Sequence, residues 1–115
     1  MMLNRLRTLG ARRMTNDNAG KIRRVIDRPD MFLVEGSLTY AVAFISGLNW
    51  GSEGCPLEGF RQWLSERYFG KSMAQAWEAL IPRLPECATG NEADDVKSFL
   101  KILAAGDKLI RLKHG

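Results

Sequence analysis

At 115 residues, 45% apolar and 26% charged, the chain has enough material for one domain and one core without metals or disulfides. It holds no apolar run long enough to span a membrane, and two distant cysteines with one histidine cannot supply the four ligands of a structural zinc site. The formal charge of +4 sits in residues 1–13, where Arg5, Arg7, Arg12 and Arg13 meet no acid; the rest balances 13 bases against 13 acids. Residues 1–15 therefore read as a disordered basic extension, and 16–115 as a helical domain. Met14, followed by Thr15-Asn16-Asp17-Asn18, has the character of a natural start, with residues 1–13 coming from an upstream start codon. A phosphate-binding arm or a targeting segment competes with that reading, but no apolar stretch follows to make a secretory signal.

A first helix is predicted from a cap near Asn18 through Lys21, Ile22, Val25 and Ile26, stopped by Pro29. Met31-Phe32-Leu33-Val34 is too short for a helix of its own and reads as an extended apolar strap or a short strand. Ser37 caps a second helix whose stripe is Leu38, Ala41, Val42, Ile45 and Leu48. Tyr40, Ala43 and Phe44 widen that stripe almost all round, which places the helix at the centre of a bundle. Residues 49–56 form a Gly-rich loop carrying Trp50. The third helix buries Leu57, Phe60, Trp63, Leu64 and Tyr68 and turns Glu58, Arg61, Gln62, Ser65 and Glu66 outward, ending at Gly70. Ser72 and Gln75 make a capping box for a fourth helix bearing Met73, Ala76, Trp77, Leu80 and Ile81. Glu86 to Gly90 is a loop. Asn91 caps a fifth helix, with Glu92, Asp94 and Asp95 at its positive end, Val96, Phe99, Leu100 and Leu103 inward, and Gly106 as its stop. The tail after it fits a helical turn or an edge strand. The expected fold is an all-α, single-domain bundle of about five helices.

Chemistry is sought in vain along this chain. Gly70-Lys71-Ser72 has the ending of a P-loop, yet Ser65 stands where the first glycine belongs, and a helix precedes it instead of a strand. Arg28-Pro29-Asp30-Met31-Phe32 is similar to a short segment of the gyrase B ATPase domain. The helix after it, however, lacks the catalytic Glu and the magnesium-binding Asn such a site requires. His114 stands one residue from the end, and the adjacent Asp94 and Asp95 point about 100° apart on a helix, so neither builds an acid/base pair. Cys55 and Cys87 read as half-buried free thiols in a reducing cytoplasm, with a disulfide between them as the alternative. No catalytic residue, cofactor or metal is expected, and the chain is not read as an enzyme.

The charge is polarised. Residues 49–95 hold eight acids against four bases, and residues 96–115 hold five bases against one acid. Glu58 and Glu66 flank Gln62 on one exposed face, and Trp50 has the best claim to an exposed anchor, since Trp is enriched in binding hot spots, with folding back over the core as its alternative. Solvated helix faces are the plainer account of each single charge.

A resemblance adds to this. R-P-D-M-F at 28–32, a helix ending F-I-S-G-L, P-L-E-G-F-R-Q-W-L-S-E-R-Y at 56–68, A-W at 76–77 and a last amphipathic helix follow one another in order. Over roughly residues 20–104 the chain resembles small helical bacterial immunity proteins of polymorphic toxin and contact-dependent growth inhibition systems. Asp30 stands where Gly is expected, and the N-terminal extension has no counterpart. The resemblance implies a cytoplasmic, stoichiometric inhibitor that covers the active site of a cognate toxin protein. It carries no catalytic residues over. The toxin-binding residues, read from charge alone, are Glu53, Glu58, Glu66 and Glu78, with Trp50 as apolar anchor; a basic nuclease cleft is the surface such acids fit. The alternative is a small helical nucleic-acid-binding or regulatory module using the Arg-rich start, Lys21-Arg23-Arg24 and the C-terminal bases. A structural subunit without independent activity is a third reading.

Overall fold

The computed structural model describes residues 20–33, 36–51 and 56–114. The predicted basic extension lies outside them. The described part is all-α and forms one domain, with no strand among the described residues. Helix α1 spans 20–27 and buries Ile22 and Val25. Pro29 does not simply stop it. Proline at a helix start forfeits only an N–H that has no intrahelical partner anyway. The chain accordingly makes a second short helix, α2 (Pro29–Phe32), closed by Leu33 N–H on the Pro29 carbonyl at 2.8 Å. The expected extended strap is thus helical at Met31 and Phe32; Phe32 and Leu33 do pack against the core, whereas Met31 is 65% exposed.

Helix α3 (Leu38–Trp50) starts as predicted, with the Ser37 hydroxyl accepting from the Tyr40 N–H at 3.1 Å. It buries Leu38, Ala41, Val42, Ile45 and Asn49, while Thr39, Ala43 and Gly47 face outward, so it has one open flank and is not central. The next helix begins later than expected. Gly59 takes a left-handed conformation (φ 91°) that a helix cannot contain, so α4 is Phe60–Leu64, reached through turns at 56–59. It continues as a π-helical turn, Ser65–Phe69, before Gly70. Ser65 is the reason one outward assignment fails. Its side chain is wholly buried, and its hydroxyl donates to the Arg61 carbonyl at 2.7 Å, drawing on the helix's own ladder where the wide turn begins.

The predicted fourth helix is mostly absent. Ser72 donates to the Gln62 side chain at 3.2 Å instead of capping, and the Met73 carbonyl accepts from the Arg61 guanidinium. Only α5 (Trp77–Leu80) is α-helical, followed by 3₁₀ turns at Ile81–Arg83 and Pro85–Cys87. Cys87 is fully buried, beyond the half-burial expected, and burial pushes its thiol pKa up to about 11. Cys55 lies outside the described residues.

Helix α6 (Glu92–His114) starts at the predicted Asn91 cap, whose Oδ1 accepts from the Asp94 N–H at 3.1 Å. It does not end at Gly106. A Cβ there would stand 2.5 Å from Phe60 Cε1 and 2.9 Å from Trp63 Cε3. The glycine is needed for close approach to α4, not for a stop, and the ambiguous tail is helical to His114. The core closes on a chain of rings: Phe60 stacks on Trp63 (5.7 Å) and meets Trp77 edge-on (5.4 Å), which stacks on Phe99 (6.0 Å). Two staples hold the helix starts, the first long-range and the second local. The Leu38 N–H donates to the Glu92 carboxylate at 2.7 Å, so that acid serves the positive end of α3 as well as of α6. Asp95 accepts from the Thr89 N–H and hydroxyl at 3.0 and 2.6 Å, which holds its carboxyl below the usual range.

Gly106→Ala removes a poor helix former, yet overpacks the ring contact; it should destabilise by about 1–3 kcal/mol in urea titration. The lowered Asp95 pKa contributes stability that is fully present above the ordinary carboxylate range and lost as pH falls through the folded-state value. Thr89→Val removes the hydroxyl donor, so it should shrink that contribution and raise the acid midpoint followed by circular dichroism.

Candidate functional site

The end of α3, the turn before α4 and the start of α5 meet around a groove of about 600 Å³. Asn49, Trp50, Leu57, Glu58, Arg61, Trp77 and Glu78 line it. Its geometry rests on Asn49, the amide on the otherwise apolar inner face of α3. The Asn49 Oδ1 accepts from the Leu57 N–H at 2.8 Å in a buried setting, which fixes the chain leading to Glu58 against α3. Leu57 in turn is buried, so the turn is fixed by a hydrogen bond and an apolar plug together.

Trp50 is not a loop residue as expected. It is the last residue of α3, and its indole is 70% exposed at the groove's edge. The Glu78 carboxylate accepts from the Ser46 hydroxyl at 2.6 Å and, at a long 3.4 Å, from the Trp50 indole N–H. Glu78 therefore acts as an orienting group for the ring, and its negative charge is shared with two donors from α3. Glu58 is exposed on the rim. Arg61 lines the same groove but gives its guanidinium to the Met73 carbonyl, which leaves the rim acidic beside a tethered cation.

A second groove, of about 660 Å³, adjoins the first through Glu58 and Gly59. One bank is Glu58, Gln62 and Glu66; the other is Leu109 and Leu112 of α6, with Trp63 and Ile110 between them. Glu66 is exposed and accepts from the Gln62 side chain at 2.5 Å.

Of the residues chosen from sequence, Trp50, Glu58 and Glu78 thus share one groove, and Glu58 and Glu66 share its neighbour. Glu53 lies outside the described residues. The sequence reading missed Ser46, Asn49, Leu109 and Leu112. Asn49 had a signal, because it continues the stripe of Leu38, Ala41, Val42 and Ile45 at helical spacing and a polar side chain there must find a buried partner. Leu109 and Leu112 belong to the tail that fits a docked helical turn or an edge strand, and with Gly106 read as a stop nothing in the sequence places them beside α4.

Among the described residues no cluster of His, Cys, Asp or Glu is arranged to hold a metal ion, and no helix is long and apolar enough to cross a membrane. The grooves offer an exposed aromatic, apolar walls and carboxylates on the rim. No family model, curated protein or solved structure matches this chain.

Asn49→Ala leaves the buried Leu57 N–H without its acceptor. The expected cost is about 1–3 kcal/mol of stability, and amide hydrogen exchange of residues 56–59 should accelerate more than that of α6.

Proposed function

We propose that this chain is an immunity protein, a cytoplasmic inhibitor that neutralises a cognate bacterial toxin domain by binding it one to one. The observation that carries the reading is Trp50: a large aromatic held exposed by Glu78 at the lip of a groove whose rim carries Glu58. Rigid aromatic anchors ringed by polar groups are where binding energy concentrates. Carboxylates at the rim steer a basic partner and set its register. The sequence resemblance to helical immunity proteins points the same way. Such a protein works by shape and charge alone, so a recognition surface without a reacting centre is sufficient for it.

In this reading the indole enters a pocket of the toxin. Glu58, Glu66 and Glu78 face its cationic residues, as they would in the phosphate-binding cleft of a nuclease. Ser46 and Asn49 hold the face in shape without touching the partner.

The test is recovery of partners by tagged full-length protein from its native cytosol at moderate salt with nuclease added, read by mass spectrometry. Stoichiometric recovery of the C-terminal domain of a large secreted protein is expected, as is survival of cells that co-express the pair. With the purified pair, Trp50→Ala should weaken binding by about 2 kcal/mol or more, and Glu58→Lys with Glu66→Lys should slow association and flatten its salt dependence. Unchanged affinity in both variants would remove this face from the reading. Retention of nucleic acid alone, lost when residues 1–13 are deleted, would replace it with the basic module.

A further inference from the structure

Of the large apolar side chains exposed among the described residues, two stand together on α6: Leu109 at 46% and Leu112 at 69% exposure. They form one bank of the second groove, with Trp63 and Ile110 between them and the opposite bank of Glu58, Gln62 and Glu66. Neither carboxylate of that bank meets a cation among the described residues. Glu66 accepts from the neutral Gln62 amide, and Glu58 holds no hydrogen bond or ion pair. Exposed Lys108 stands about one turn before Leu112, on the side of it turned away from the Gly106 contact with α4. A cation is therefore repelled from the leucine edge and drawn to the acidic one. The groove calls for an occupant that is apolar on one face and cationic along one flank.

Residues 1–13 of this chain answer that description. They read MMLNRLRTLGARR, with four arginines and no acid, and match the whole formal charge of the protein. Their leucines recur at every third residue. Placed on a helix, Leu3, Leu6 and Leu9 fall within about 120° of arc, and Arg5 and Arg12 lie about 20° apart on one flank of that stripe. Residues 13–19 then remain to reach α1, up to about 24 Å of extended chain. The molecule's two shorter extents are 32 and 21 Å, so this tether crosses its narrow direction. A tether of this length presents the segment at an effective concentration on the order of millimolar, whereas a second copy or a separate partner must arrive from solution.

We infer that residues 1–13 fold back on the α4–α6 groove as a built-in cover. Leu3, Leu6 and Leu9 seat against Leu109 and Leu112, and Arg5 and Arg12 face the carboxylates of Glu58 and Glu66. The segment occupies the bank as a cationic partner would, so anything that engages Glu58 and Glu66 must first displace it. The docking itself does not rest on the immunity reading. Only its regulatory consequence does: a toxin that uses this bank competes with the segment for it.

Amide hydrogen exchange of the full chain at low ionic strength, read by mass spectrometry over residues 3–12, tests the cover with no partner present. The wild type should exchange there about tenfold more slowly than a synthetic peptide of residues 1–13, and lose that protection as salt rises. R5E/R12E changes residues that precede the helical domain, and E58K/E66K changes exposed side chains on it. Each should abolish the protection, and the two combined should restore it, because opposite charges face each other again. Leu112→Glu should abolish it in every background, with unchanged circular dichroism. Exchange at the peptide's rate in the wild type, protection that survives either charge reversal, or a combined variant left unprotected would each overturn the cover. So would protection that grows with protein concentration, which is the signature of a segment supplied by a second copy. None of these outcomes depends on recovery of a toxin, so this inference and the immunity reading fail separately.

Discussion

The nearness of α6 to Phe60 sets the rest of the structure. At Gly106 the helix backbone rests on the edges of the Phe60 and Trp63 rings, at a distance no side chain would permit. That contact fixes the plane of Phe60, and Phe60 fixes Trp77 edge-on, which in turn stacks on Phe99 farther back along α6. The rings thus run from α6 through α4 and α5 and return to α6. Few short helices in this fold have the length to be stable alone, and α5 has barely one turn. They are held by a closed circuit of aromatic surfaces instead of by their own hydrogen bonds.

Around that circuit, polar side chains tie elements together, two of them across long stretches of sequence. Glu92 reaches the first N–H of α3, Glu78 takes the hydroxyl of Ser46, and Asn49 holds Leu57. Each joins a helix end to a neighbour where an orphan backbone or side-chain group would otherwise be left dry. The consequence is that α3 is fastened at both ends: at its start to α6, at its finish to the turn before α4 and to α5. The two grooves lie beside the second of these fastenings, and their walls inherit its rigidity.

Much of the fold was legible in the sequence, for reasons that particular residues make plain. Ser37 and Asn91 announce their helices because capping is a local exchange between one side chain and one backbone N–H. The stripe from Leu38 to Ile45 and the rings at Phe60, Trp63 and Trp77 follow from periodicity. What escaped reading depends on distant contacts. Gly106 looks like a stop until Phe60 is seen beneath it. Ser72 looks like a cap until Gln62 competes for its hydroxyl. Ser65 looks exposed by spacing until the π turn rotates it inward. Of the candidate site, Trp50, Glu58 and Glu78 were found by composition and charge, but their meeting in one groove depends on the bend at Gly59, and the leucine bank depends on α6 continuing past Gly106.

Trp50 stands at the end of α3 with its ring leaning on a carboxylate of α5, so it belongs to two elements at once. A mobile loop would have let an anchor swing free, and anything gripping it would hold only that loop. Here a molecule that closes on the indole also clamps α3 to α5, and through Trp77 it leans on the whole ring circuit. Local opening near the groove then requires the ligand to leave first. Occupancy of this small surface by a bound molecule would thereby be converted into resistance of the entire domain to unfolding and proteolysis, a protection that would grow with the logarithm of ligand concentration.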